Sequence, residues 1–245
     1  MLQDRLVAHR GFPRIYPENT LLGFKKAVEA GAHFLETDIQ FTADLKPVLY
    51  HDTLMSRISG IDNAIHLLDL EEAVAHPATE PGRLAGAFPD ETICSLAQLV
   101  EYLHGQPAVS VFVEVKRTAV HLAGVERAYD ILDNVLAPIR ERAILISFDE
   151  EFMAHAADRG YPRLGLVLKD WQDGEPLLAG QPPEFLFCDI DKIPEGADLA
   201  GFAGKLVVYE VDDPDLAADL FSRGADMIET FDIAGMLNAL ARHAL

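Results

Sequence analysis

Phe34-Leu35-Glu36-Thr37-Asp38-Ile39-Gln40-Phe41, then Thr42-Ala43-Asp44-Leu45-Lys46-Pro47, then Val48-Leu49-Tyr50-His51-Asp52 is the stretch on which the fold turns. Glu36 and Asp38 stand two apart in an extended run, so they share one face while Leu35 and Ile39 take the other. Residues 42–47 read as a turn, and 48–50 as an arm returning antiparallel to the first run. A turn centred between Asp44 and Leu45 sets His51 opposite Asp38.

Outward from this hairpin, short apolar or β-branched runs alternate with helical patterns. Strands are predicted at 6–8, 34–41, 48–50, 109–115, 143–147, 164–168, 185–188, 205–211 and 227–230. Amphipathic helical stretches fall at 20–30, 96–103, 120–136, 150–159, 215–223 and 233–242, with Asn19, Ser95 and Asp149 as caps. Strand alternating with helix implies parallel strands joined by right-handed crossovers. Nine strands exceed the eight of a closed barrel by one, and the returning arm is that one. The expectation is an α/β fold, a (β/α)8 TIM-type barrel forming a single domain over 1–245. Residues 53–93 break the rhythm and read as a small insertion at the barrel mouth, after the His51-Asp52 arm.

Composition narrows the function classes. Of the 245 residues, 49% are hydrophobic, enough for a full core, and 20 Lys and Arg against 40 Asp and Glu give a net charge of −20. So acidic a surface suits neither nucleic acid nor docking on anionic lipid. No apolar run reaches the roughly 20 residues of a membrane helix, and Met1-Leu2-Gln3-Asp4-Arg5-Leu6 is not a signal peptide. Cys94 and Cys188, the only cysteines, fit a reducing compartment and read as buried small hydrophobes. The expectation is a cytoplasmic protein with a small-molecule substrate, no nucleic-acid partner and no stable membrane anchor.

Barrel enzymes place their chemistry at the carboxyl ends of the strands. There the sequence puts His9, Arg10 and Gly11, then Glu36 and Asp38, then His51 and Asp52, then Glu114 and Lys116. Three carboxylates converging inside a barrel, Glu36, Asp38 and Glu114, repel one another unless a cation or a proton relieves them. All-oxygen ligation suits a hard divalent ion, Mg²⁺ or Ca²⁺. His9 and His51 can divide acid and base roles near neutral pH. Arg10 and Lys116 can bind a phosphate or pair with the acids.

His9-Arg10-Gly11, Pro17-Glu18-Asn19-Thr20, Glu36-Thr37-Asp38 and His51-Asp52 together resemble the signature of the glycerophosphodiester phosphodiesterase family. Phe24, Ala27, Gly31, Asp44 and Pro47-Val48 continue the match, as do Glu114-Val115-Lys116 and Ser147-Phe148. The resemblance implies metal-dependent hydrolysis of glycerophosphodiesters to glycerol 3-phosphate and an alcohol. Metal ligation then falls to Glu36, Asp38 and Glu114, acid-base catalysis to His9 and His51, and phosphate contact to Arg10 and Lys116. Glu18 orients Arg10 or its loop. The family's mechanism has the glycerol 2-hydroxyl attack phosphorus, one histidine taking its proton while the other protonates the departing alkoxide. Water then opens a cyclic phosphate.

The match departs at the C-terminal end. Tyr209-Glu210-Val211-Asp212 stands where the family has Trp-Thr-Val-Asn, and Glu229-Thr230-Phe231-Asp232 where a Thr-Asp is usual. Glu210 and Glu229 either bind a cationic head group or a second cation, or are paired and silent. Phe148, Trp171 and Tyr209, with Glu18, are expected to line the pocket; Asp189 and Asp191 are expected in surface or capping roles. Two other readings are an enzyme of the same superfamily acting on lysophospholipids or another alcohol phosphodiester, and a silent phosphate-binding barrel. The first calls for an apolar entrance, for which the insertion offers Ile58, Ile61, Ile65, Leu67 and Leu68.

Overall fold

In a computed structural model of the chain, which describes residues 2–171, 178 and 180–243, the alternating runs become one closed sheet. The strands are β1 (Leu6–Ala8), β2 (Phe34–Phe41), β3 (Pro47–Leu49), β4 (Ser110–Val115), β5 (Ala143–Ser147), β6 (Leu164–Val167), β7 (Phe185–Asp189), β8 (Lys205–Tyr209) and β9 (Met227–Thr230). Parallel pairing runs β2, β4, β5, β6, β7, β8, β9, β1, and β1 pairs back onto β2 to close the barrel. The extra strand, β3, is the antiparallel return arm on β2.

Alternation along the strands sorts the side chains into two layers. Leu35, Ile39, Val111, Val113 and Val115 face outward into the core shared with the helices. Phe112, Ile144, Ile146, Val167, Phe185, Phe187, Val207 and Met227 fill the barrel instead. Phe112 meets Phe185 and Phe187 edge-on at ring distances of 4.8 and 4.9 Å. This plug seals the interior, so the polar residues further along the same strands collect at one open end.

Local chemistry adjusts three expectations. The turn after β2 closes with Leu45 N donating to Thr42 O, and Leu45 sits at φ +57°. That left-handed residue moves the turn's centre onto Asp44, so Ile39 faces Leu49, and Tyr50, not His51, donates its N–H to Asp38. The helical pattern at 120–136 is two helices, Arg117–Ala123 and Val125–Leu136, broken at Gly124 with φ +80° and ψ 149°. The strand predicted at 205–211 stops at Tyr209, because Glu210 turns the chain at φ +63°. Between β7 and β8 the crossover holds only a short 3₁₀ turn, Ile190–Lys192, which Asp189 caps by accepting from Asp191 N; Asp191 is exposed.

The stretch 53–93 builds a small apolar cluster of its own, in which Met55, Ile58, Ile65, Leu68, Ala73, Ala78 and Ile93 bury around Val48 and Tyr50. It clamps onto the loop after β1: Arg83 donates to the carbonyls of Pro13 and Tyr16, and the Phe88 ring packs at a tilt against Tyr16, 5.4 Å away. Among the described residues no helix is long and apolar enough to cross a membrane. Both cysteines are buried, and burial pushes the thiol of Cys94 up to about 12 and that of Cys188 to about 11.

Because Phe112 contacts two rings at the centre of the plug, Phe112→Ala is expected to destabilise the fold by about 3–5 kcal/mol. Urea denaturation followed by circular dichroism measures it; a loss below about 1 kcal/mol would mean the barrel interior collapses around the gap.

Candidate active site

The first element of the site is the turn that ends β1. Arg10 sits at φ +53° and Gly11 at φ +90°. A Cβ on Gly11 would lie 3.0 Å from the carbonyl carbon of Gly23 and 3.1 Å from Phe24 N, so only glycine lets the turn pack against the following helix. The reversal points Arg10 back across the barrel mouth. Its Nε lies 3.1 Å from Asp38 Oδ2, its Nη1 donates to Glu18 at 3.3 Å, and its backbone N–H donates to Glu36 Oε2 at 3.1 Å.

Asp38 is fully buried at the centre of this arrangement. Lys116, just past β4, reaches its Oδ1 at 2.6 Å and Glu114 at 2.8 Å. Asn19 donates to Asp38 Oδ2 at 2.8 Å and accepts from the Thr37 hydroxyl and the Asp38 N–H. Asn19 is therefore not the helix cap. Thr20 caps Leu21–Glu29 by accepting from Gly23 N, which leaves Asn19, at φ +54°, free to turn inward. Ser95 and Asp149 do cap their helices. Burial opposes the charge on Asp38, but Lys116 and Arg10 overcome it and hold the carboxyl far below its usual range. Burial likewise opposes charge on Lys116 and Arg10, and the acids around them keep both cationic.

Glu36, on the same inward face, is 2% exposed and leaves Oε1 without a hydrogen-bond partner. Burial first, then Asp38, Glu229 and Glu114, push its carboxyl well above the ordinary value. Oxygens of Glu36, Asp38 and Glu114 lie within 4.8 Å of one another. Three carboxylates with an orphaned oxygen are a donor set that fits a hard divalent cation.

His9 lies over this cluster, 5% exposed, with Nε2 3.7 Å from Glu36 Oε2. Its ring stacks on Phe231 at 4.5 Å, nearly parallel at 13°. Burial, followed by the positive charge of Arg10, keeps the imidazole well below its usual value and so neutral. Phe231 occupies a place where the resemblance suggested an aspartate. Asp212 sets it there by accepting from Phe231 N at 2.8 Å and from the Thr230 hydroxyl at 2.7 Å. The altered C-terminal motifs thus have a role legible in the geometry: they orient His9.

His51 lies across the mouth, and its Nδ1 is 2.7 Å from Asp52 Oδ1. Gln40 donates to the His51 carbonyl at 3.2 Å. Asp52 is gripped in turn by Arg57, through Nε and Nη2 at 2.8 Å each, and the same guanidinium grips both Glu18 oxygens at 2.8 Å. Burial raises the Asp52 carboxyl, but Arg57 and His51 outweigh it and hold it below the usual carboxylate range. One chain of contacts therefore runs from His51 through Asp52, Arg57, Glu18 and Arg10 to Asp38. Arg57 belongs to the insertion, and no spacing rule in the sequence marks it. Glu80 and Arg83 complete the support, Glu80 accepting from Glu18 N at 2.7 Å.

The cluster opens into a cavity of about 120 Å³ lined by His9, Arg10, Glu36, His51, Glu114 and Lys116, together with Phe148, Tyr209, Glu210 and Glu229. Glu18 faces a neighbouring groove of about 430 Å³ instead, beside Arg14, Arg57, Arg83 and Phe231. Trp171 packs on Phe202 at 5.7 Å and is not among the residues that line the cavity. Chemically, the mouth offers a cation-binding acid cluster, two fixed positive side chains and two imidazoles around a space for a small polar group.

Arg57→Met is expected to cost about 1–2 kcal/mol, discounted because the guanidinium is partly in solvent. Since Asp52 is depressed in the folded state, the contact stabilises above the unfolded carboxylate value of about 3.9 and fades as pH falls below it. Thermal unfolding should show a gap between wild type and variant that is steady from pH 7 to 5 and narrows below about pH 4; a gap that widens with acid would refute the assignment.

Comparison with known proteins bears on the family and the fold. Residues 9–172 match the model of the glycerophosphoryl diester phosphodiesterase family. A glycerophosphodiester phosphodiesterase of Caldanaerobacter subterraneus subsp. tengcongensis is 26% identical, over 98% of this chain and 99% of that protein. Glycerophosphodiester phosphodiesterase 1 of Mus musculus is 36% identical over 46% of this chain and 35% of its own length. Among solved structures, a phosphodiesterase of Oleispira antarctica in complex with the product sn-glycerol-3-phosphate superposes with a TM-score of 0.82 at 22% identity, covering 97% of this chain and 96% of that one. With its motif residues gathered at one barrel mouth and two thirds of its length matched, the chain belongs to the glycerophosphoryl diester phosphodiesterase family.

Proposed function

We propose that this protein hydrolyses glycerophosphodiesters to glycerol 3-phosphate and an alcohol, with the reaction carried out where His9, Arg10, Glu36, Asp38, His51, Glu114 and Lys116 converge. The observation that carries the reading is that Glu36, Glu114, two cationic side chains and two imidazoles line one cavity, with the buried Asp38 carboxylate within 4.8 Å of the other two acids. A divalent ion, Mg²⁺ or Ca²⁺, held by Glu36, Asp38 and Glu114, would supply charge stabilisation at the phosphoryl oxygens.

The chain's own residues divide the rest. Arg10 and Lys116 are pinned as cations by Asp38, Glu18 and Glu114, so they meet the phosphodiester already oriented. His9, neutral and held flat against Phe231, is ready to accept a proton from the glycerol 2-hydroxyl. His51, fixed through Nδ1 by Asp52, leaves Nε2 to deliver a proton to the departing alkoxide. With His9 neutral and stacked on Phe231, and His51 held through Nδ1 by Asp52, base and acid fall to His9 and His51 respectively. The cyclic phosphate opens with the two roles reversed.

The lysophospholipid alternative draws little from the structure. Ile58, Ile65 and Leu68 are buried in the insertion's own core with Ile61 against them, leaving Leu67 alone of that group exposed, at 65%. No apolar entrance is assembled from these residues.

Glycerol 3-phosphate release from a panel of glycerophosphodiesters tests the proposal. Activity should vanish with chelator and return with Mg²⁺ or Ca²⁺, and His9→Ala and His51→Ala should each lose about 10²–10⁴-fold. Turnover that persists in chelator, or that survives both histidine changes, would overturn it.

A further inference from the structure

Glu229 carries an observation that the proposed chemistry does not use. It is the third residue of β9, points into the barrel and is 2% exposed. Among the described residues, no Lys or Arg side-chain nitrogen lies within 4 Å of it, and its Oε1 has no hydrogen-bond partner. It is therefore not one half of a silent ion pair. Oε1 of Glu36 and Nδ1 of His9 are also without hydrogen-bond partners; so are Oδ1 of Asp38 and Nε of Arg10, but these two have an opposite charge within ion-pair distance, Lys116 at 2.6 Å and Asp38 at 3.1 Å. One donor atom from each of His9, Glu36 and Glu229 lies within 4.8 Å of the other two.

Asp38 makes the contrast. Its oxygens are already matched by Lys116 at 2.6 Å, Arg10 at 3.1 Å and Asn19 at 2.8 Å. The cationic side chains of the mouth are thus committed to one half of the acid cluster, and the half containing Glu229 has none. Buried acids in that position are relieved by a shared proton or by a cation. A shared proton would satisfy two oxygens but leaves the imidazole, the third corner of the triangle, without a part.

We propose that Glu36, Glu229 and His9 form a second divalent-cation site, with Glu36 shared between it and the Glu36–Asp38–Glu114 site. The proposal rests on the reading that the latter holds an ion. Two carboxylates and an imidazole suit Mn²⁺ better than Ca²⁺, which prefers oxygen alone. An ion there engages a nitrogen of His9, so its occupancy competes with proton transfer at that nitrogen.

Chelator-stripped full-length protein titrated with Mn²⁺ alone gives the test, with bound ions counted from the free-ion electron paramagnetic resonance signal. Wild type should take up two ions per chain, and the second should add the spin coupling of a pair about 3.5–4 Å apart. Glu229→Gln should bind one ion with an uncoupled spectrum, while Glu229→Asp, which keeps the charge, should recover the second ion more weakly. Circular dichroism identical to wild type guards against a folding artefact in the Gln variant, and recovery in the Asp variant guards against it independently. Saturation of the wild type at one ion, or a second ion that survives Glu229→Gln, overturns the proposal. A wild type that saturates at one ion, kept in Glu229→Gln but lost in Glu114→Gln, would leave the first site standing and remove the second. No uptake of Mn²⁺ by any form would sink both.

Discussion

A carboxylate with no exposed surface is the constraint around which this barrel mouth is organised. Asp38 sits on an inward face of β2, where charge is tolerated only if every oxygen is met. Lys116 comes from the end of β4, Arg10 from the reversed turn after β1, and Asn19 from the position before Thr20, the cap of the first long helix. Three neighbouring segments of the barrel are therefore tied at one atom group, and the positive φ of Arg10, Gly11 and Asn19 is the conformational cost of bringing them there. The same pins that make Asp38 bearable hold two cations rigidly above the cavity, so the structural and the chemical demands on these residues coincide.

Much of this was legible because period-2 alternation is a strong signal. Glu36 beside Asp38, and Glu114 beside Lys116, declare a polar inner face against Leu35, Ile39, Val113 and Val115 on the outer one. The barrel followed from strand counting once the arm at 48–50 was recognised as a return. What escaped the sequence depended on backbone conformation or on distance. Leu45 in the left-handed region shifted the hairpin register by one residue, and a leucine carries no warning of that. Asn19 looks like a cap because asparagine commonly is one, and only the buried acid opposite shows why Thr20 takes that part instead. Arg57 and Phe231 meet their partners across long stretches of chain, 39 residues in the case of Arg57 and Glu18, where no local pattern can announce them.

The departures from the family motif at the C-terminal end read differently once seen in space. Asp212, Thr230 and Phe231 form a small hydrogen-bonded unit whose product is the ring under His9. An aromatic platform fixes an imidazole's plane without offering it a charge, and burial, then Arg10, keeps the ring neutral in a crowd of acids. Orientation by stacking at His9 and by a carboxylate at His51 makes the two imidazoles chemically unequal.

The two guanidinium clamps of the insertion also shape how the molecule opens. Arg57 and Arg83 join residues far apart in the chain, and both sit on four-residue elements of the insertion, whose small apolar cluster is separate from the barrel core. A small cluster of this kind separates from the body at lower free energy than the barrel strands. Breathing of the insertion would therefore loosen Glu18 and Asp52 together, while the plug of Phe112, Phe185 and Phe187 stays shut. Amide exchange in the two loops should then proceed as one cooperative unit, faster than in the barrel, so that the molecule carries a stable floor beneath a rim that assembles and disassembles as a whole.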